Sequence, residues 1–281
     1  RMFDLIDLHT HSDHSDGVLP PAELVALAAL RKVTVLALTD HDSTDGCEAA
    51  LAACRSHGMG LVTGAELTAS WRGQEIHIVG LGLDPQDPAL RQHLAGILAL
   101  RRHRIAAIGE KLRRDPALAG RNPAEGLLDG PGVPTRTHLA RALVGLHLAD
   151  SVSEAFDRYL SRQRPAHVPQ EWPDLATTVT AIANAGGHAV LAHAHRYKLS
   201  NGALRELCAA FREAGGAGLE VSLPGLAPPV ATRLASLARS YDLAGSVGSD
   251  FHEPGLPWRP LGRFAKLPGE VVPVMARLTP L

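Results

Sequence analysis

The sequence predicts an α/β protein whose strands form a closed or nearly closed barrel that is interrupted by a helical insertion. Short apolar runs alternate with Ala- and Leu-rich helical stretches in two blocks, residues 1–83 and 172–281. Repeated strand–helix units favour a parallel sheet, and about seven of them are typical of a barrel. Residues 84–171 show helical periodicity and no convincing strand, which predicts a separate helical cap subdomain.

The first block contains four predicted strands and two predicted helices. Pro20 and Pro21 open the first helix, because proline fits the first helical turn, and Gly58 ends the second helix. The third strand is expected to end at Glu66. We expect strands at residues 3–6, 33–38, 61–65 and 75–80, and helices at residues 20–31 and 44–57.

The insertion is predicted to be entirely helical, and strand–helix alternation then returns after Pro173. In the insertion we expect helices at residues 90–114, 137–147 and 152–161. In the second block we expect strands at residues 187–192, 218–222 and 244–248, and helices at residues 174–186, 202–214, 228–240 and 269–277.

Length and composition set broad limits. With 281 residues and 45% hydrophobic content, the chain can bury a substantial core. A net charge of −1 gives no overall charge argument for nucleic acid or membrane, and no run approaches the ~20 apolar residues of a bilayer span. The N-terminus lacks a signal-peptide pattern, and a 44–57 helix would separate Cys47 from Cys54 by about 10 Å along its axis. We therefore expect a reduced, cytoplasmic protein.

Metal-competent side chains follow the ends of most predicted strands. On an extended strand alternate side chains share a face, so His9 and His11 point the same way. Such pairs also occur in proteins without metal, so the pair alone does not distinguish a metal site from ordinary polar residues at a strand end. Packing requirements, however, would scatter such residues rather than place metal-competent side chains at the same end of five strands. The residues in question are His9, His11, His41, Glu66, His193, Asp250 and His252.

A set of imidazoles and carboxylates without cysteine is typical of a catalytic site for Zn, Mn or Fe. In barrels, the chemistry lies at the carboxyl ends of the strands, where these residues are predicted. Several ions are implied, because one ion cannot use so many ligands. A carboxylate such as Glu66 can bridge two ions about 3.5–4 Å apart, as in two-metal hydrolases.

The motifs resemble those of the PHP (polymerase and histidinol phosphatase) family. They are D-L-H-T-H-S-x-x-S-D-G at 7–17, T-D-H-D at 39–42, H-A-H at 193–195 and G-S-D-x-H at 248–252, with a strand-end glutamate between them. The resemblance implies a distorted (β/α)7 TIM-like barrel and two or three divalent ions, with Mn expected and Zn or Fe open. Carried over by motif, the first ion is bound by His9, His11, Glu66 and Asp250, the second by Glu66, His77 and His193, and the third by Asp16, His41 and His252.

The chain is similar, more narrowly, to the bacterial branch of that family that acts on nucleoside 3′,5′-bisphosphates and on short RNA from the 5′ end. The helical insertion, P-T-R-T-H-L-A-R at 134–141 and P-W-R at 257–259 carry this finer resemblance. It implies a phosphorylated nucleotide or a short RNA as substrate. The sequence shows no extended basic groove for nucleic acid and no membrane partner, and it leaves the oligomeric state open.

The chemistry that these ligands suit is hydrolysis of a phosphate ester by a metal-bridged hydroxide. His195 is the candidate general acid, and an equal alternative is that it orients a metal ligand. Arg196, Arg136 and His138 are candidates for binding a second phosphate, and Trp258 is a candidate for stacking on a base. The carboxylates Asp7, Asp13, Asp40 and Asp42 are expected to support the site or to form turns.

Three other functions fit parts of the sequence. A histidinol-phosphate phosphatase would have the same metal site. An amidohydrolase also uses H-x-H after its first strand, but many of those enzymes bridge their ions with a modified lysine. The chain has only Lys32, Lys111, Lys198 and Lys266, none of them at a predicted strand end. A non-catalytic PHP module should have lost ligands, and all nine positions are filled.

Overall fold

The computed structural model describes residues 5–281 and contains one seven-stranded sheet with strand order β1 to β7. The predicted start of the first strand, at residues 3 and 4, lies outside the described residues. The strands are β1 Leu5–Asp7, β2 Val33–Leu38, β3 Gly60–Trp71, β4 Gln74–Leu81, β5 His188–Leu191, β6 Gly218–Ser222 and β7 Ala244–Val247.

Within the described residues, eight α-helices connect or follow these strands. They are α1 Pro21–Leu30, α2 Cys47–His57, α3 Pro88–Leu112, α4 Arg136–Gly145, α5 Val152–Ala155, α6 Leu175–Asn184, α7 Asn201–Glu213 and α8 Pro228–Ser240. A π-helical turn, Phe156–Leu160, continues α5, and a 3₁₀ turn, Val274–Arg277, lies near the end of the chain.

The sheet is mostly parallel, and β4 is the exception. It runs antiparallel to both β3 and β5, whereas a parallel arrangement had been expected throughout. The cause is a tight hairpin: Arg72 and Gly73 both have positive φ, 50° and 73°, as a two-residue turn between twisted strands requires. The prediction that β3 ends at Glu66 is also wrong, because β3 continues to Trp71 to pair with β4.

Hydrogen bonds also connect the first and last strands. The Leu8 amide donates to the carbonyl of Val247 at 3.1 Å, and Thr10 pairs in parallel with Phe251. These contacts join the ends of β1 and β7 beside the histidine motifs. Complete closure into a distorted (β/α)7 barrel stays a prediction.

The chain divides into two compact units. The first comprises the residues up to Leu94 together with Pro173–Leu281, and the second is Ala95–Trp172. The role of residues 84–171 as a cap subdomain stays a prediction. No helix within residues 5–281 is both long enough and apolar enough to cross a membrane.

Each unit has its own apolar core. In the first unit the helices pack on the sheet through fully buried side chains such as Leu24 of α1, Leu36 of β2 and Phe211 of α7. In the second unit, Leu112 of α3 and Leu143 of α4 belong to a separate cluster of buried residues. The apolar residues that predicted the elements are therefore the residues that hold them together.

Candidate metal centre

His9 and His11 lie immediately after β1, and both side chains are fully buried. Their Nε2 atoms are 3.1 Å apart. They share a face because they are separated by two residues of extended chain, as the H-x-H spacing predicted. Two imidazole nitrogens this close to each other can bind the same metal ion, or they can share one proton in a hydrogen bond.

The carboxylate of Glu66 is the centre of the cluster. It is fully buried, and imidazole nitrogens from four strand regions surround it. The nitrogen-to-oxygen distances are 3.3 Å for His9, 3.3 Å for His11, 3.1 Å for His41, 2.9 Å for His77 and 2.8 Å for His193. Core packing alone does not explain why five imidazoles surround one carboxylate.

His77 reaches this cluster because β4 is antiparallel. The start of β4 therefore lies beside the carboxyl ends of the parallel strands, although His77 itself is near a strand start. In the β3–β4 ladder Glu66 is opposite Val79, so His77 projects on the same face as Glu66. This hairpin explains the unusual strand position from which His77 contacts Glu66.

Asp16, His252 and Asp250 extend the cluster on its other side. Asp16 Oδ1 is 3.5 Å from His41 Nε2 and 3.2 Å from His252 Nε2. Asp250 Oδ1 is 3.4 Å from His11 Nε2. The loop after β7 thus brings two further candidate ligands, Asp250 and His252, to the same edge of the sheet.

Three groups of these side chains have ligand atoms that lie within 4.8 Å of one another. They are His9, His11, Glu66 and Asp250; His41, Glu66 and His77; and His11, Asp16, His41 and His252. The first matches the set expected for one ion. The second replaces His193 by His41, and the third adds His11. The structure therefore brings all nine expected residues together, and the assignment of each to an ion stays a prediction.

The chemistry of the donor set fits divalent cations. Within residues 5–281, Glu66 Oε2 and His41 Nδ1 are buried and lie 3.1 Å apart, yet neither atom has a partner in hydrogen-bonding geometry. Buried lone pairs of this kind are costly unless a proton or a cation satisfies them. Imidazole and carboxylate ligands suit Zn, Mn and Fe. These groups could hold metal ions, and the identity and number of the ions belong to the proposal below.

The electrostatics of the cluster also favour the binding of cations. Burial opposes ionisation of Glu66, yet His41, His77 and His9 hold the pKa of this carboxyl well below its usual value. Burial likewise opposes protonation of His11 and His77, but contact with Asp250 and Glu66 raises the pKa of His11 to about 9. Glu66 and then Glu75 raise the pKa of His77 to about 10. The ionised carboxylates thus attract positive charge strongly.

Three of the four carboxylates that were expected to support the site do make buried hydrogen bonds. Asp40 accepts from the Ser12 amide at 2.7 Å and from the hydroxyl of Ser15 at 2.6 Å. Asp42 accepts from the Thr68 amide at 2.7 Å, and Asp7 accepts from the amides of Ser249 and Gly262, both at 2.8 Å. Asp13 is exposed in the turn after the histidine pair. The buried three fix the loops that carry the cluster.

Sequence reasoning missed three residues at the site. Glu220 of β6 is buried and lies 2.6 Å from His9 Nδ1. The Tyr197 hydroxyl accepts from the His77 amide at 2.9 Å, and Arg259 Nη1 lies 3.3 Å from Asp250 Oδ2. One signal could have identified Glu220: it is the single charged residue in the predicted strand 218–222.

The residues that were predicted to act on the substrate are less clearly placed. His195 is half-buried, and burial, with the nearby charges of Arg196 and His193, lowers its pKa to about 4. Arg196 forms an ion pair with Asp250. Trp258 is 61% exposed. Their roles toward a substrate stay predictions.

Arg136 and His138 belong to the second unit, at the start of α4. The Arg136 guanidinium lies 5.8 Å from the centre of the Phe156 ring, and His138 completes a capping box with Thr135. A capping box is sufficient reason for a polar residue at position 138. Their contact with a substrate also stays a prediction.

The fold and the site together define the class of protein. It is an α/β protein whose sheet carries a buried histidine–carboxylate cluster suited to divalent metal ions. The PHP domain family model matches residues 7–222, and the chain belongs to the PHP domain family.

Named relatives match the chain over nearly its whole length. It is 41% identical over 268 residues to a 5′-3′ exoribonuclease of Haemophilus influenzae, covering 95% of this chain and 97% of the relative. It is 37% identical over 273 residues to a 3′,5′-nucleoside bisphosphate phosphatase of Chromobacterium violaceum, covering 97% and 96%. Because these relatives are named for hydrolysis of phosphate esters, the chain is an enzyme of that kind.

A solved structure is similar as well. It is an amidohydrolase from Chromobacterium violaceum with bound sulfate and no metal, with a TM-score of 0.89, 37% identity and coverage of 97% of this chain and 95% of that one.

Proposed function

We propose that the protein is a metal-dependent phosphoesterase that removes the 3′-phosphate of nucleoside 3′,5′-bisphosphates and also acts on short 5′-phosphorylated RNA. The observation that carries this proposal is the single buried carboxylate of Glu66 in contact with five imidazoles at one edge of the sheet. The names of the relatives support the substrate class.

The cluster would hold two or three divalent ions, for which Mn is our first choice. His9, His11 and Asp250 would hold one ion, His77 and His193 a second, and Asp16, His41 and His252 a third, with Glu66 shared between the first two. When bound, such ions supply a nucleophilic water of lowered pKa and neutralise charge on phosphoryl oxygens. The chain's own contribution is to fix nine ligands on a rigid sheet edge and to orient the substrate.

Substrate orientation needs groups outside the cluster. Arg196 and Arg259 both contact Asp250, at the edge of the cluster, and a guanidinium can bind a phosphate in a bidentate manner. Trp258, next to Arg259, offers an exposed indole on which a base can stack. A nucleotide with phosphates on both sides of its ribose matches this combination of cationic and aromatic groups.

The leaving oxygen of the ester requires a proton, and His195 is our candidate donor. With a pKa of about 4 in the metal-free protein, this histidine is neutral at pH 7. The dianionic phosphate of a bound substrate would raise that pKa, because a nearby negative charge favours the protonated imidazole.

A substrate comparison tests the proposal. Metal-free protein is reconstituted with Mn²⁺ and assayed for phosphate or nucleotide release from four compounds: adenosine 3′,5′-bisphosphate, 5′-AMP, a 5′-phosphorylated RNA trimer and histidinol phosphate. We expect turnover of the bisphosphate and of the RNA to exceed turnover of 5′-AMP. Hydrolysis of histidinol phosphate alone would contradict the proposal.

A further inference from the structure

Glu220 connects two of the predicted metal-binding residues and is itself outside every group of candidate ligands. Its side chain lies on β6 and is 1% exposed. One carboxylate oxygen, Oε1, is 2.6 Å from His9 Nδ1. The other, Oε2, accepts a hydrogen bond from the backbone amide of His193 at 2.6 Å. Both oxygens are therefore engaged, and neither points into the cluster as a free ligand.

We propose that Glu220 is a positioning residue that sets the tautomer of His9 and the backbone of His193, so that both imidazoles are held ready for metal ions. The inference rests on the metal-binding part of the proposed function. One carboxylate would then orient two ligands, His9 and His193, that bind two different ions.

The position of the proton on His9 follows from the hydrogen bonds that a carboxylate can make. An ionised carboxylate only accepts hydrogen bonds, so the proton of neutral His9 must be on Nδ1, facing Glu220. The lone pair is then on Nε2, which lies 3.1 Å from His11 Nε2 and 3.3 Å from Glu66 Oε2. His9 needs that lone pair to bind a metal ion. Metal-binding histidines commonly donate their other ring N–H to a carboxylate, which orients the imidazole.

The second contact acts on the backbone. His193 has φ 29° and ψ 46°, a conformation that residues other than glycine rarely adopt. Its amide is held by Glu220 while its ring nitrogen Nε2 lies 2.8 Å from Glu66. Because the turn after β5 begins at His193, the hydrogen bond to Glu220 fixes the direction in which the imidazole leaves the strand.

The substitution Glu220→Gln separates the two contacts without changing the shape of the side chain. If the amide oxygen accepts from His9, the NH₂ group faces the His193 amide, and two donors meet. If the amide is turned around, NH₂ faces His9 Nδ1, and this nitrogen becomes an acceptor. The His9 proton then moves to Nε2, the atom that a metal needs. Neither orientation satisfies both partners.

The test compares the wild type, Glu220→Gln and the exposed control Glu213→Gln as metal-free proteins. Long-range ¹H–¹⁵N spectra report the His9 tautomer and the His193 amide, calorimetry reports Mn²⁺ affinity, and circular dichroism confirms folding. We expect Nδ1–H on His9 in the wild type and in the control. Glu220→Gln should change either the tautomer or the His193 amide signal and should weaken Mn²⁺ binding by roughly 10- to 100-fold.

Several outcomes would overturn the inference. A His9 ring without a proton on Nδ1 in the wild type would do so without any variant, which keeps the test valid if Glu220→Gln does not fold. Unchanged Mn²⁺ affinity in a folded Glu220→Gln protein would also do so, even if the enzyme hydrolyses bisphosphates. If the wild type binds no Mn²⁺, both the inference and the proposed function fail. If it binds Mn²⁺ as expected but hydrolyses no phosphate ester, only the proposed function fails.

Discussion

Replacing Glu66 by glutamine should abolish tight metal binding, because this carboxylate is the common partner of five imidazoles. Its oxygens lie 2.8 to 3.3 Å from their nitrogens. At an effective dielectric constant of about 20, a unit charge pair at ~3 Å interacts by about 5–6 kcal/mol. Breaking a buried ion pair costs about 3–5 kcal/mol after solvation is included, and we apply that cost to the pair that Glu66 would form with a bound cation. At 1.36 kcal/mol per tenfold, affinity should fall by roughly two to four orders of magnitude.

The assay is calorimetric titration of Mn²⁺ into metal-free protein, with Glu213→Gln as the matched control. Both substitutions replace a carboxylate by an amide, but Glu213 is exposed near the end of α7. We expect the control to bind Mn²⁺ like the wild type and to keep its activity on adenosine 3′,5′-bisphosphate. Glu66→Gln should remain folded by circular dichroism and should show neither tight binding nor turnover.

A loss of less than tenfold in Mn²⁺ affinity for folded Glu66→Gln would refute the reasoning. It would mean that the five contacts with Glu66 are packing contacts of the metal-free protein, and that the ligands of any bound ion lie elsewhere.

Four further predictions concern protonation, substrate contacts and the core. In the metal-free protein the pKa of His11 is about 9 and that of His77 about 10, so both carry a proton at pH 7 that a metal ion must displace. Mn²⁺ affinity should therefore rise from pH 6 to pH 9, with proton release measured by titration in unbuffered solution; a flat profile would contradict this. Trp258→Ala should raise KM for adenosine 3′,5′-bisphosphate roughly tenfold by loss of base stacking, while KM for p-nitrophenyl phosphate stays constant, and equal changes for both substrates would exclude stacking. His195→Ala should lower kcat by roughly 10²- to 10⁴-fold with unchanged Mn²⁺ affinity, and a parallel loss of affinity would indicate the orienting role instead. Phe211→Ala should lower the free energy of unfolding in urea by about 3–5 kcal/mol, because Phe211 is fully buried in the apolar core. The metal stoichiometry should not change, and a cost below about 1 kcal/mol would contradict that packing.

Much of the fold could be predicted because hydrophobic periodicity and boundary residues agree with the elements that form. The predicted helix at 228–240 coincides with α8 Pro228–Ser240, and the helix that was predicted to stop at Gly58 is α2 Cys47–His57. The direction of β4 was missed, although the nine residues 66–74 between the two predicted strands, with no predicted helix, are too few for the crossover that a parallel pair needs. The exact position of the turn, at Arg72 and Gly73, was harder to predict, because a glycine after an arginine is a weak turn signal.

The candidate site was predictable where ligand-type residues follow strands, as with His41 and Asp250. Its supporting groups were not, because each depends on a contact between distant parts of the chain. Glu220 contacts His9 from 211 positions away. Tyr197 supports the His77 amide from 120 positions away. No local sequence pattern predicts such a contact. A charged residue inside a mostly apolar strand does, however, indicate that it has a buried partner.

We propose that the ligands at the edge of the sheet form a metal centre that hydrolyses phosphate esters. The most direct test adds Mn²⁺ back to metal-free protein in measured equivalents, in the presence of adenosine 3′,5′-bisphosphate, and follows phosphate release and product identity by chromatography. We predict no turnover without metal, a rise that saturates at two or three equivalents, and 5′-AMP as the nucleotide product. Turnover that is independent of added metal and insensitive to chelator, or no turnover at saturating metal, would contradict the account.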